Sequence, residues 1–440
     1  MGYIKRKIDN ELMTWKTDPD RKPLLVRGAR QVGKTSSIEQ FGSCFEHFIT
    51  VNFERNKKLK TLFDGDLDVK DICHQLAIQF KKPIVPEKTL LFFDEVQTCP
   101  NAIRSLRYFY EDYPELHIIA AGSLLEFALE ELPTFGVGRI DSLFMYPFSF
   151  QEFMYACGEE LLWNEVCKSS PDKPLFPVFH EKCLSLLKKF LIIGGMPAAV
   201  ADFLKYNDIL KVQKVLDRLI LSFQNDFAKY QKKLPTLLLR EVLAAIVKQS
   251  GGKFIYSKAA ETSTYNIRQA VNILIMAGLV IPVVSSSANG IPLGAEVNHK
   301  KCKMLLLDTG FFQRLLGLEL SDFLFSNDFE AINKGFIAEQ FAGLELIKNA
   351  SPYTSENLYF WTRDIGKSQA EVDYLIQKNG KIIPVEVKSG KSGKMQSMHL
   401  FISEKQPDYG IRTSLENFTQ YGAVRVYPLY AIGNIKNDQA

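Results

Sequence analysis

The stretch "LLVRGARQVGKTSSI", Leu24 to Ile38, sets an apolar run directly against a glycine-rich turn and a helix start. Leu24 to Val26 read as a buried strand. Gly28, Gly33, Lys34 and Thr35 then fall in the spacing GxxxxGK[ST], and the residues after them suit the first turns of a helix. The glycines let backbone N–H groups wrap a phosphate, and the helix N-terminus adds partial positive charge. Lys34 reaches the outer phosphates and the Thr35 hydroxyl is placed to hold Mg2+. The expected nucleotide cradle is Gly28, Ala29, Arg30, Gln31, Val32, Gly33, Lys34, Thr35 and Ser36, with ATP and Mg2+ as the cofactors.

Such a loop needs a second metal anchor. "TLLFFDE" supplies a buried strand ending in Asp94 and Glu95. Asp94 is expected to hold Mg2+ through water, and Glu95 to orient or deprotonate the attacking water. "HIIAAGS" is a further strand ending at Ser123, where a polar side chain either senses the outermost phosphate or simply forms a turn. Ile103, Leu106 and Tyr110 recur at helical spacing and read as core.

The chain has 440 residues, 46% hydrophobic and 24% charged, a composition for several globular domains rather than a disordered polymer. Its formal charge of +4 leaves any nucleic-acid contact to local patches. One such patch runs from Trp361 to Lys394, with seven basic side chains against four acidic ones. Seven cysteines, with no CxxC, argue against a disulfide framework or a zinc site and fit a reducing cytoplasm. No apolar run reads as a signal core or a membrane span, so no membrane partner is expected.

Near the other end, "EVDYLIQKNGKIIPVEVKSG", Glu371 to Gly390, is a hairpin by its Asn379-Gly380 turn. A two-residue turn pairs Lys378 with Lys381 and sets Asp373 opposite Glu386. Glu371, Asp373, Glu386 and Lys388 then share one face, with Val372, Tyr374, Ile376, Ile383, Val385 and Val387 on the other. The acidic face is either a Mg2+ site or an ordinary charged hairpin surface. Upstream, "NKGFIAEQFAGLEL" buries Glu339 among apolar helical positions, from which it could project toward the same carboxylates.

Between these ends, Glu159 to Gln231 is a helical connector. After Pro235 come three helical segments, "TLLLREVLAAIVKQSGG", "YSKAAETS" and "TYNIRQAVNILIMAGL", followed by the apolar segments "LVIPVV" and "KMLLLD". The order looks like a winged helix-turn-helix whose third helix presents Tyr265, Asn266, Arg268, Gln269 and Asn272, either to DNA or to a protein partner.

"GARQVGKT", "LLFFDEVQ", "AAGS", "GRIDSLFMYPFSFQEF" and "GGMP", in that order, resemble the AAA-type P-loop ATPases of bacteria and archaea that carry a C-terminal domain of uncharacterised function. The resemblance implies ATP hydrolysis. It also makes Arg139 of "GVGRID" an arginine that completes a nucleotide site, in its own or a neighbouring subunit, unless it forms a surface salt bridge. Glu339, Asp373, Glu386 and Lys388 are similar in type and order to the PD-(D/E)xK nucleases. That likeness implies acids holding Mg2+ and a lysine beside the nucleophile.

The expected architecture is α/β. It comprises an AAA-type ATPase domain at residues 1–158, a helical connector or lid at 159–234, a winged-helix-like module at 235–320 and a restriction-endonuclease-like domain at 325–440. The expected activity is a cytoplasmic ATPase whose nucleotide state controls a nuclease-like, DNA-interacting domain. The alternative is an oligomerisation switch whose C-terminal domain docks a partner without cutting. DNA and further copies of the chain are the candidate partners.

Overall fold

The computed structural model describes residues 2–132, 136, 138–230, 234–317, 335–355, 357–363, 370–390 and 395–435. The chain forms two compact units. One comprises Met1–Pro147 with Met276–Gly278 and Ser351–Ser355; the other comprises Phe148–Ile275, Leu279–Ala350 and Glu356–Ala440.

The first unit is a five-stranded, wholly parallel sheet. Its strands are β1 (Leu24–Arg27), β2 (His47–Asn52), β3 (Thr89–Asp94), β4 (His117–Ala121) and β5 (Asp141–Phe144), in the spatial order β2-β3-β4-β1-β5. Helices cover such sheets on both faces, so their central strands are apolar throughout, and every residue of β3 and β4 is buried. Phe53, Phe63, Phe93 and Phe109 meet edge to face in the core with centroids 5.4–6.0 Å apart, the arrangement their ring quadrupoles favour. This packing fixes the carboxyl ends of β1, β3 and β4, where ligands of open α/β sheets bind.

The second unit is built on an eight-stranded mixed sheet. Its strands are β6 (Val280–Ser286), β7 (Val297–Leu306), β8 (Leu358–Arg363), β9 (Ala370–Lys378), β10 (Lys381–Val387), β11 (Gly410–Ser414), β12 (Thr419–Tyr421) and β13 (Val424–Pro428), ordered β12-β13-β11-β10-β9-β8-β6-β7. The hairpin forms in the expected register: Asn379 and Gly380 take positive φ, and Lys381 pairs with Lys378 and Val385 with Tyr374. Tyr374 points to the helix Gly335–Lys348, donating from its hydroxyl to the Glu339 carbonyl at 2.8 Å. Its neighbour Leu375, on the opposite face by strand alternation, packs in a cluster with Trp361 and with Phe401 of the helix Gln396–Lys405.

The helix Phe150–Ala156 packs with the second compact unit. Its Ser149–Glu152 capping box is joined by Glu345, whose carboxylate accepts the Phe150 N–H at 3.1 Å. The helices Thr236–Lys248 and Thr264–Met276 flank a short 3-10 turn at Tyr256–Lys258, as a winged helix requires. The antiparallel β6–β7 pair that follows is continuous with the larger sheet, since β6 also pairs in parallel with β8. The stretch expected to separate the two modules, residues 321–324, lies outside the described residues.

Candidate functional site

The loop after β1 turns through three left-handed positions, Gly28 (φ 138°), Gln31 (φ 62°) and Gly33 (φ 102°). Gly28 admits no side chain, since a Cβ there would lie 2.1 Å from the Met145 carbonyl oxygen. The Arg6 guanidinium braces the loop from outside, donating to the carbonyls of Val32 at 3.0 Å and Tyr146 at 2.8 Å. Gly33 caps the helix Lys34–Gly42 with no side-chain hydrogen bond, which suits first-turn N–H groups to an anion. Ala29 and Val32 are buried, Arg30 is half-buried, and Gln31 and Ser36 are exposed.

The Lys34 side chain folds back over this loop. Its Nζ donates to the carbonyls of Gly28 at 2.7 Å and Ala29 at 2.8 Å, and only 7% of the residue is exposed. Burial pushes its pKa down to about 8, against the pull of Glu95, Asp94 and Glu126. Arg30 adds to the depression.

At the end of β3, Asp94 Oδ1 accepts the Thr35 hydroxyl at 3.2 Å and Oδ2 accepts Asn52 Nδ2 at 2.7 Å. Burial raises its pKa, an effect the Asn52 bond opposes and the Glu95 charge adds to. Glu95 takes a left-handed backbone (φ 51°), and its Oε2 accepts Gln97 Nε2 at 2.6 Å and the Ser123 hydroxyl at 3.3 Å. Gly122, just before Ser123, leaves room for Gln97, whose Oε1 would lie 1.9 Å from a Cβ at that position. Lys34, Thr35, Asp94, Glu95 and Ser123 are thus joined by these contacts and charges. Arg139 is engaged elsewhere: it pairs with Glu111, which Arg107 also contacts at 3.0 Å. Sequence reasoning passed over Asn52 and Gln97. Asn52 is the β2 residue in register with Asp94, so the polar end of an otherwise apolar "FITVN" was its signal. These residues fit Mg2+ and a nucleotide, since Thr35 and Asp94 offer adjacent hard oxygens and Lys34 rests on its own loop's carbonyls.

The second group lies in the eight-stranded unit. Asp373 Oδ2 accepts the Val387 N–H at 2.8 Å, which ties the two expected strand partners' neighbourhoods together. Glu386 is buried; Lys388 Nζ sits 2.6 Å from its Oε1, and its Oε2 has no hydrogen-bond partner among the described residues. Burial raises the Glu386 pKa, against Lys388. Glu339 does project from its helix toward Asp373, as expected, but the group between them is a lysine that sequence reasoning missed. Lys303 of β7, 2% exposed, places Nζ 2.7 Å from Glu339 Oε1, 2.6 Å from Glu371 Oε1 and 3.5 Å from Asp373 Oδ1. Burial raises the Glu339 carboxyl to about 7 despite Lys303, and the carboxylates hold the Lys303 ammonium above its usual range despite burial. Glu339 and Asp373 thus meet at Lys303 and Glu386 at Lys388, and among the described residues no group of three or more His, Cys, Asp or Glu side chains is placed to hold a metal ion. The missed signal was a lysine opening the apolar run "KMLLLD", where a solvated lysine has no place.

An AAA domain profile matches residues 20–154, and two domains of unknown function match residues 184–322 (DUF8612) and 334–432 (DUF4143). An uncharacterized protein of Haemophilus influenzae (strain ATCC 51907 / DSM 11121 / KW20 / Rd) is 22% identical over 383 residues, spanning 82% of this chain and 81% of its own. Among solved structures, the Walker-type ATPase PABY2304 of Pyrococcus abyssi aligns at 14% identity and a TM-score of 0.45, over 71% of this chain and 96% of its own. The Aeropyrum pernix ORC1 protein in complex with DNA aligns at 14% identity and a TM-score of 0.29, over 71% and 90%. The N-terminal region is an AAA-type P-loop ATPase domain. No helix among the described residues is long and apolar enough to cross a membrane.

Proposed function

We propose that this chain is a cytoplasmic, Mg2+-dependent ATPase whose nucleotide state governs its second unit, a nuclease-like module that interacts with DNA. The observation that carries the ATPase reading is the Thr35 hydroxyl on Asp94 at 3.2 Å, with Glu95 held at the next position by Gln97 and Ser123. Bound ATP with Mg2+ supplies the transferable phosphoryl group and part of the charge that neutralises it. With nucleotide bound, Lys34 would exchange its carbonyl partners for phosphate oxygens, and Thr35 and Asp94 would hold the metal. Glu95 takes the proton of the attacking water or orients it, and Ser123 keeps Glu95 in place. Arg139, 40% exposed at its side chain, serves a neighbouring copy of the chain by exchanging Glu111 for phosphate. Glu95→Gln tests the reading: the variant should bind nucleotide and stop hydrolysing it, and turnover equal to wild type would sink the assignment.

For the second unit, support comes from the element order helix, β8, β9, β10, helix, β11, and from Glu386 and Lys388 flanking Val387 at the end of β10. Exposed Tyr265, Arg268, Gln269 and Asn272 on the helix Thr264–Met276 offer a surface to DNA. Supercoiled, linear and single-stranded DNA, incubated with Mg2+ or Mn2+ and with or without ATP, should be bound. Cleavage that disappears in Glu386→Ala/Lys388→Ala would establish the nuclease. The second reading is an oligomerisation switch with a docking domain that does not cut, and it is favoured by the Lys303 contacts. It predicts an ATP-dependent change in mass with the DNA left intact.

A further inference from the structure

The cation of the second unit is part of the chain itself. A divalent metal at Glu339, Asp373 and Glu386 needs oxygens with free lone pairs, six in octahedral array for Mg2+ and six to eight for Ca2+. Four of the six oxygens already meet a cation or a backbone donor. Glu339 Oε1 is on Lys303, Asp373 Oδ1 faces Lys303, Asp373 Oδ2 accepts the Val387 N–H, and Glu386 Oε1 is on Lys388. Of the remaining oxygens, Glu386 Oε2 is buried with no hydrogen-bond partner among the described residues.

Lys303 is built into this position. It leaves β7 between buried Cys302 and Met304, and its Nζ passes over the Phe360 ring of β8 at 5.2 Å from the centroid before reaching Glu371 and Asp373 on β9. Three carboxylates around one ammonium are an arrangement that would repel itself without the lysine. An ammonium meets carboxylates as a monovalent charge with three donors and activates no water.

We propose that the Lys303 ammonium is the resident cation of the second unit, holding Glu339, Glu371 and Asp373 in place of a divalent metal, so that the unit docks its partner without metal-dependent cleavage. The inference rests on reading the helix-β8-β9-β10-helix-β11 order as a nuclease-like core, and it deepens the docking alternative.

The test is Mn2+ binding to the full-length protein, nucleotide-free, by titration calorimetry and by the thermal shift Mn2+ produces. Wild type should bind no Mn2+ that depends on Asp373. Lys303→Met, which keeps the apolar stem and deletes the charge, should bind Mn2+ at least roughly tenfold more tightly and regain thermal stability with it. That gain should vanish in Lys303→Met/Asp373→Asn. Wild-type Mn2+ binding that Asp373→Asn abolishes would overturn the proposal, as would a folded Lys303→Met with no gain. If Lys303→Met does not fold without metal, its recovery on refolding with Mn2+, compared with no recovery for the double variant, gives the same reading. Failure to fold with or without Mn2+ would count against a latent metal site. The underlying nuclease-like reading fails separately, through loss of DNA binding with the Mn2+ results unchanged.

Discussion

The two units treat their carboxylates in opposite ways. Asp94 and Glu95 are held by neutral donors, Thr35, Asn52, Gln97 and Ser123, while the nearby ammonium of Lys34 rests on backbone carbonyls. Acid and base are kept apart, so each is left to meet an outside ligand. In the second unit, Glu339, Glu371 and Asp373 close directly on Lys303, and Glu386 on Lys388. Similar residue types are open to a ligand in one place and self-neutralised in the other. A motif reports the residue types but is silent on which of them are already paired.

The sharpest way to break this contrast is at the first unit. Lys34→Ala should lower ATP turnover by about 10²–10³-fold or more in a steady-state phosphate-release assay, the scale on which one transition-state donor acts. Turnover near wild type would mean that Lys34 is as structural as Lys303. Next comes the second unit, where Lys303→Met in metal-free buffer should lose about 3–5 kcal/mol in urea denaturation, the effect of leaving buried charges without their partner. A loss below about 1 kcal/mol, the range of exposed pairs, would make the cluster an ordinary hydrated surface.

A smaller effect follows from the Lys34 pKa of about 8. A phosphate favours the ammonium form, so binding above pH 8 takes up a proton and affinity falls as pH rises through that value. Nucleotide affinity should drop by about three- to tenfold between pH 7 and 9, and a flat profile would remove the depressed pKa from the argument. The same lowered pKa makes the ligand-free unit gain stability as pH rises from about 8 toward the ordinary lysine value, since the unfolded chain still holds the proton there. Smallest of all, Arg139→Ala should leave the melting temperature unchanged, because its ion pair with Glu111 is solvent-exposed. A turnover deficit confined to high protein concentration, where copies associate, would assign Arg139 to its neighbour's site.

What was legible in the sequence follows from distance along the chain. Gly28 to Ser36 form one contiguous loop with its chemistry written in order, and Asp94 and Glu95 close a strand whose apolar run is unmistakable. The Asn379-Gly380 turn fixed the β9–β10 register residue by residue. Lys303 was hidden because its partners arrive through two separate long-range events, the docking of the helix Gly335–Lys348 and the placement of β9. Turn chemistry and periodicity encode neither. For the same reason, the β6–β7 hairpin was legible locally while its pairing with β8, which lies far downstream, was not.

That β6–β8 pairing has a consequence for how the chain is made. β7 ends at Leu306 and β8 begins only at Leu358, so during synthesis the outer edge of β6 emerges with its backbone donors and acceptors bare. It stays so until the ribosome has passed β8. A nascent chain stalled in that interval, or a fragment cut at residue 317 to isolate the helix Thr264–Met276, presents a sticky strand edge and belongs to the class of intermediates that chaperones exist to shield.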